Sequence, residues 1–256
     1  MLSRLFVVFS CFFITAAYAE SPPEFTGREH AEVMLLLSES DFDVRLAAKS
    51  IRRIGSNRQD ILDMSAEVTW SACSGNRKMR PDTLSWLVKA IGYTKQTRYA
   101  NLLDYCLSST TDKNTIKHLN HARENLEGAT TDSFEGGKIN LGQVHARLTE
   151  KSSSTSHSQM AKQFGELQEG LSLDDVYSIF GIPNDVSGVN VPLGKAGYSY
   201  VKVLSSNDMI VLRYSGLGKI RFIYDEANVY WRLLDADSNK GPFWSKRDGR
   251  FLTTND

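Results

Sequence analysis

The chain has 256 residues, 41% of them apolar and 23% charged, with 30 basic side chains against 30 acidic ones. That balance excludes a protein whose affinity rests on neutralising nucleic-acid phosphates, because such binding needs a net basic surface. Nor does it hide a basic region behind an acidic one, since residues 20–128 hold 15 basic and 15 acidic side chains and residues 129–256 hold 14 and 15.

The first residues read as an address. Arg4 gives a positive start, residues 5–17 are almost uninterruptedly apolar, and Ala17, Tyr18 and Ala19 supply the small-any-small pattern that signal peptidase reads. The expectation is a secretory signal peptide over residues 1–19, cleaved after Ala19, that delivers a periplasmic or secreted protein. The apolar run falls short of the roughly 20 residues that a membrane span requires. Cys11 sits inside it, not at the cleavage point where a lipoprotein carries its cysteine. Cys73 and Cys106 remain, an even pair in an oxidising compartment. Leu62, Ala66, Thr69 and Cys73 share one helical stripe, and Tyr99, Leu102, Leu103, Cys106 and Leu107 share another, so both sulfurs face a core. A disulfide is expected, with two inert buried thiols as the alternative.

Residues 28–126 read as six short amphipathic helices, over 28–38, 43–54, 58–73, 81–92, 97–108 and 113–126. Ala47, Ile51 and Ile54 form the stripe of the second, which Gly55 stops; Leu84, Leu87, Val88 and Ile91 form that of the fourth, between Pro81 and Gly92. Asp43, Val44, Arg45 and Leu46 open one of these helices and Pro81, Asp82, Thr83 and Leu84 open the other. On these residues 41–108 resembles HEAT-type repeats. That resemblance implies an all-α solenoid over residues 25–128, whose curved face binds a partner and holds no built-in nucleophile or cofactor cradle.

Two features of this half are candidate contact points. Arg45, Lys49 and Arg52 recur opposite the apolar stripe, with Arg53 and Arg58 beside them, a ridge suited to an acidic protein or to peripheral contact with anionic lipid. The plainer reading is a solvated helix face. Trp86, Ala90 and Tyr93 make a second strip on the fourth helix, for which packing against the next repeat is the better explanation.

Residues 129–163 have linker composition, with Gly136, Gly137 and a serine-rich run over 152–158, interrupted by one short helix near 143–151. The most specific local signal follows. In residues 170–183, Ser172 caps a helix with Asp175 three residues on, Leu173, Val176 and Phe180 share a face, and Gly181 and Pro183 stop it. Strand composition then recurs over 198–204, 209–214, 219–225 and 229–234, with Ile220, Phe222 and Tyr224 alternating with polar neighbours. Residues 170–183, 198–203 and 209–224 are in order similar to the SmpA/OmlA family, the BamE-like domain of small envelope proteins. That likeness implies a non-catalytic accessory or docking role in the bacterial envelope, and it supplies no catalytic residue to carry over.

The expected fold is therefore α+β in two domains. A helical-repeat solenoid over 25–128 is followed by a linker over 129–163. A small helical hairpin on a three- or four-stranded antiparallel sheet then covers 164–240, and a polar tail covers 241–256. Gly137-Lys138, Gly194-Lys195 and Gly218-Lys219 lack the spacing of a phosphate loop, and His118, His121 and Glu124 on one helix lack a further ligand for a metal. No catalytic, metal or cofactor constellation is recognised, and no cofactor is expected. Trp231 and Trp244 with Tyr230 and Phe243 read as core or edge covering. The expected function is a non-enzymatic envelope scaffold that binds protein partners through Arg45, Lys49, Arg52, Trp86, Tyr198 and Tyr200. Its alternative is an inhibitor that blocks an envelope enzyme with Tyr198 and Tyr200.

Overall fold

The computed structural model describes residues 25–56, 58–128, 132–150, 164, 167–168, 170–190, 208–225 and 227–238, with short strand pieces at 241–242, 244–245 and 250–251. The expected signal peptide, the serine-rich run, Tyr198, Tyr200 and the expected strand over 198–204 lie outside the described residues. The class is α+β, with helices mostly in the amino-terminal half and an antiparallel sheet in the carboxyl-terminal half. No helix among the described residues is long and apolar enough to cross a membrane.

The helices are α1 (Gly27–Leu37), α2 (Asp41–Ser50), α3 (Gln59–Cys73), α4 (Pro81–Tyr93), α5 (Ala100–Ser109), α6 (Lys113–Glu124), α7 (Leu141–Glu150) and α8 (Leu173–Phe180). Local chemistry sets most of their starts. Thr26 and Glu29 form a capping box on α1, the hydroxyl of Ser40 caps α2, Pro81 stands at the first turn of α4, and the carboxylate of Asp112 caps α6. The first six alternate between two rows: α1, α3 and α5 touch one another in sequence, α2, α4 and α6 do likewise, and each odd helix contacts the even one that follows it.

The two glycines that read as helix stops do different things. Gly55, at φ +78°, closes a π-helical turn (Ile51–Gly55) that extends α2. Gly92 lies inside α4, where an added Cβ would stand 2.6 Å from that of Ala122. It is there so that α4 and α6 can approach closely, and α4 ends at Thr94 and Lys95, the latter at φ 59°. Their 37-residue spacing is therefore not a repeated helix ending.

Cys73 and Cys106 form a disulfide between α3 and α5. Polar contacts bind α3 to the 3-10 turn (Thr97–Tyr99) that leads into α5: Tyr99, fully buried, donates its hydroxyl to Asp63 Oδ1 (2.7 Å), and Arg98 pairs with Asp63 (2.8 Å).

Part of the stretch read as linker is docked. Glu67 on α3 accepts the backbone N–H groups of Gly137 (2.8 Å) and Ile139 (3.4 Å), Gly136 leaves room for the Trp70 ring, and Phe134 packs its ring near Tyr99. A buried carboxylate satisfied by backbone donors is a tether that polar, glycine-rich composition does not reveal. The short helix expected near 143–151 is α7, which packs on α1 and α3.

The main strands are β1 (Asp185–Asn190), β2 (Asp208–Tyr214), β3 (Gly218–Asp225) and β4 (Tyr230–Ser238), hydrogen-bonded in sequence order, with a two-residue strand, β5 (Gly241–Pro242), beyond β4. A bulge between β3 and β4 places Leu233 opposite Phe222 and Asp235 opposite Arg221, so Leu234 is extra. β1 falls in a stretch that reads as a glycine-bearing loop. At Gly188 a side chain would collide with Phe42, Asp43 and Leu46 of α2, and the bare backbone instead donates its N–H to Asp43 Oδ1 (2.7 Å). The strand exists because the glycine lets a helix lie against it.

One face of the sheet presents Val186, Ile210, Leu212, Tyr214, Ile220, Phe222, Tyr224, Trp231, Leu233 and Ala236, all buried in the same apolar cluster as the helices. α8 covers part of that face through Phe180, whose ring meets Phe164 and Tyr214. α1 and α2 cover β1. Sheet and helices thus share one core.

The disulfide closes a loop with a sequence separation of 33 residues. On loop-closure entropy its reduction lowers the stability of the chain by about 4 kcal/mol. Urea unfolding with and without reductant measures this, and coincident curves would contradict it.

Candidate functional site

Two polar assemblies stand out once the fold is laid down, one buried where helices meet the sheet and one open on the α2–α4–α6 row.

The buried one begins at Glu32 on α1, 1% exposed. Its Oε1 accepts a hydrogen bond from the Ser50 hydroxyl at the end of α2 (2.7 Å), and that hydroxyl accepts one from Trp231 Nε1 on β4 (3.0 Å). Burial pushes the Glu32 carboxyl up to about 7, against the pull of the Arg28 charge and of the Ser50 hydrogen bond. Nearby, His30 Nδ1 meets the Tyr177 hydroxyl of α8 (3.1 Å), and burial lowers the imidazole to about 4. A carboxyl held near neutrality marks many catalytic acids. Glu32, however, is sealed beneath Ser50 and Trp231, and its shift reports dry packing between α1, α2 and β4.

The open assembly contains several of the residues read from sequence. Arg45 pairs with Asp82 at 2.7 Å, and Arg58 pairs with Glu29 and Asp60 at 2.9 and 2.6 Å. Lys49 binds Asp208 at the start of β2 (2.8 Å), with Arg53 4.0 Å from the same carboxylate. The ridge is therefore divided. Lys49 ties the helices to the sheet, while Arg52 stays exposed beyond the last turn of α2. The two sequence-read features converge on Trp86, because Lys49 Nζ, the Arg52 guanidinium and Lys89 Nζ stand 5.4, 5.7 and 4.4 Å from its ring. Such cation–ring contacts hold the cations over the indole face.

Beside Trp86 a cleft of about 430 Å³ opens between the turn after α2, the last turns of α4 and the outer face of α6. Arg52, Lys89, Tyr93, Lys95, His118, His121 and Asn125 line it, and none of its lining residues is acidic. The close approach at Gly92 and Ala122 forms its floor. Burial lowers the basicity of His118, as do the charges of Lys89, Lys117, His121 and Arg52. The histidines thus face cations, not the carboxylate of a metal site, and among the described residues no cluster of three or more His, Cys, Asp or Glu is spaced to hold a metal.

Sequence reading missed Lys89, Lys95 and Asn125. Lys89 was recoverable, since it stands three residues after Trp86 and so on the same helix face. Tyr93 was read as packing but is 57% exposed. Comparison with protein-family models, with curated proteins and with solved structures gave no match to this chain.

Glu32 and His30 generate a prediction with opposite signs. The protonated Glu32 favoured by the fold contributes stability that is complete below pH 4.5 and lost as pH rises to about 7. His30, favoured neutral, contributes stability that is lost as pH falls from 6.5 to about 4. Between pH 4.5 and 6.5 the two offset each other. Glu32→Gln keeps an acceptor for Ser50 and removes the titration, so relative to wild type it gains about 3 kcal/mol between acid and alkaline pH. Urea midpoints across that range measure the gain, and parallel profiles would refute it.

Proposed function

We propose that this chain is a non-enzymatic binding protein of the bacterial envelope, exported by residues 1–19, that brings envelope proteins together. In this reading α1–α6 form a HEAT-like solenoid and the region around α8 and the sheet is a BamE-like domain. The two share a core. The Cys73–Cys106 disulfide supports an oxidising compartment.

The observation that carries the reading is the aromatic and cationic face of the α2–α4–α6 row. Trp86 is held among Lys49, Arg52 and Lys89, with Tyr93 57% exposed two turns further along α4. Trp, Tyr and Arg dominate the energetics of protein interfaces because they combine rigid apolar area with directed polar contacts. A face of this kind suits an acidic partner, which the cations steer and the rings hold.

Crosslinking pull-down of the tagged full chain from its native envelope, read by mass spectrometry, tests the proposal. The expected result is enrichment of an envelope complex, falling at least about fivefold with Trp86→Ala. Recovery of one soluble enzyme in a one-to-one complex would replace the scaffold with an inhibitor. Equal recovery by wild type and variant would remove this face from the account.

A further inference from the structure

The cleft on the α2–α4–α6 row carries positive charge that the fold does not neutralise. Elsewhere on the helices the ridge cations have carboxylate partners: Arg45 has Asp82, Lys49 and Arg53 have Asp208, and Arg58 has Glu29 and Asp60. At the cleft rim Lys95 has Glu127 at 2.8 Å. Arg52 and Lys89 have no ion-pair partner among the described residues, yet both hold against Trp86 and line the same cavity. Two like charges kept close together, with burial and the Arg52 charge lowering the basicity of Lys89 against the pull of Asp82, are unfavourable in the absence of an anion.

We propose that this cleft binds the phosphate group of a small phosphorylated molecule. The volume of about 430 Å³ falls within the range of small-molecule sites and is concave, which suits a soluble ligand better than a flat membrane surface. The donors come from three directions: Arg52 from the turn after α2, Lys89 from α4, and His118 with His121 from α6. A tetrahedral phosphate offers oxygens to all three walls, whereas a planar carboxylate offers two oxygens in one plane. Guanidinium and ammonium groups supply charge-assisted hydrogen bonds to such oxygens. Tyr93 at the rim offers a ring against which the rest of the molecule can lie.

Protonation follows from the same geometry. His118 is faced by Lys89 from α4, by Arg52 from the turn after α2 and by Lys117 and His121 on its own helix, all of which discourage its protonated form. A bound dianion opposes them, so the occupied cleft favours the protonated form of His118. The inference goes beyond the partner-binding proposal and does not depend on it.

Titration calorimetry of the full chain with inorganic pyrophosphate at low salt is the test. Saturable binding with a Kd below about 1 mM is expected. The double variant Arg52→Ala, Lys89→Ala should weaken it at least about tenfold, with its urea midpoint confirming a native fold. If that variant fails to fold, amide shifts in the wild-type chain decide: pyrophosphate must move Lys89, Gly92 and His118. Absence of saturation, equal affinity in a folded double variant, shifts confined to other regions, or succinate binding as tightly as pyrophosphate would each overturn the proposal. So would capture by phosphatidylglycerol vesicles without any response to pyrophosphate, which would make the cleft a membrane contact.

Discussion

The hydrogen-bonded chain from Glu32 through Ser50 to Trp231 is the constraint around which the described structure is arranged. It places a carboxyl, a hydroxyl and an indole N–H where water cannot reach, and the Ser50 hydroxyl meets both the indole N–H and one carboxyl oxygen, while Glu32 Oε2 has no hydrogen-bond partner among the described residues. Because the three come from α1, α2 and β4, satisfying them fixes the first helical pair against the sheet. Three further contacts repeat that requirement around its edge: Gly188 on Asp43, Asp208 on Lys49 and Tyr177 on His30. A hydrophobic core alone tolerates sliding of one layer over another, whereas directed bonds do not.

This junction explains why α1 can be apolar and polar at once. Ala31, Val33, Leu35 and Leu36 are fully buried, as are Glu32 and His30 to within a few per cent, because α2, α3, α7, α8 and β1 all pack on this helix. Part of that cover comes from α8 and the sheet. Charges on the opposite side of α2 remain outside this junction, and the cleft at Arg52 and Lys89 forms there.

Much of this was legible from residue pattern. Helical periodicity located α1 to α6 to within a few residues, and the Ser172 and Asp175 capping box located α8, since both signals are local. The alternation of Ile220, Phe222 and Tyr224 gave β3 and its buried face. What the pattern could not show was anything set by a distant partner. β1 reads as a loop because Gly188 has no side chain to declare a face, and Gly92 reads as a stop because close packing and chain termination favour the same residue. Nothing in the pattern marks Glu67, which is buried against the N–H groups of Gly137 and Ile139. Likewise the ridge at Arg45, Lys49 and Arg52 is continuous in sequence, but Asp82 and Asp208 divide it in space. Part of the cleft, His118, His121 and Arg52, was singled out from sequence, but only the fold brings these residues together.

The central claim is that the helices and the sheet form one cooperative unit through the buried junction. Native-state hydrogen exchange with increasing denaturant tests it most directly, comparing amides of α3 and α5 with those of β2 and β3. The account predicts that the slowest amides in both sets converge on one opening free energy, and that Trp231→Phe lowers both together. Persistent protection of the sheet after the helices have opened, or the reverse, would contradict it.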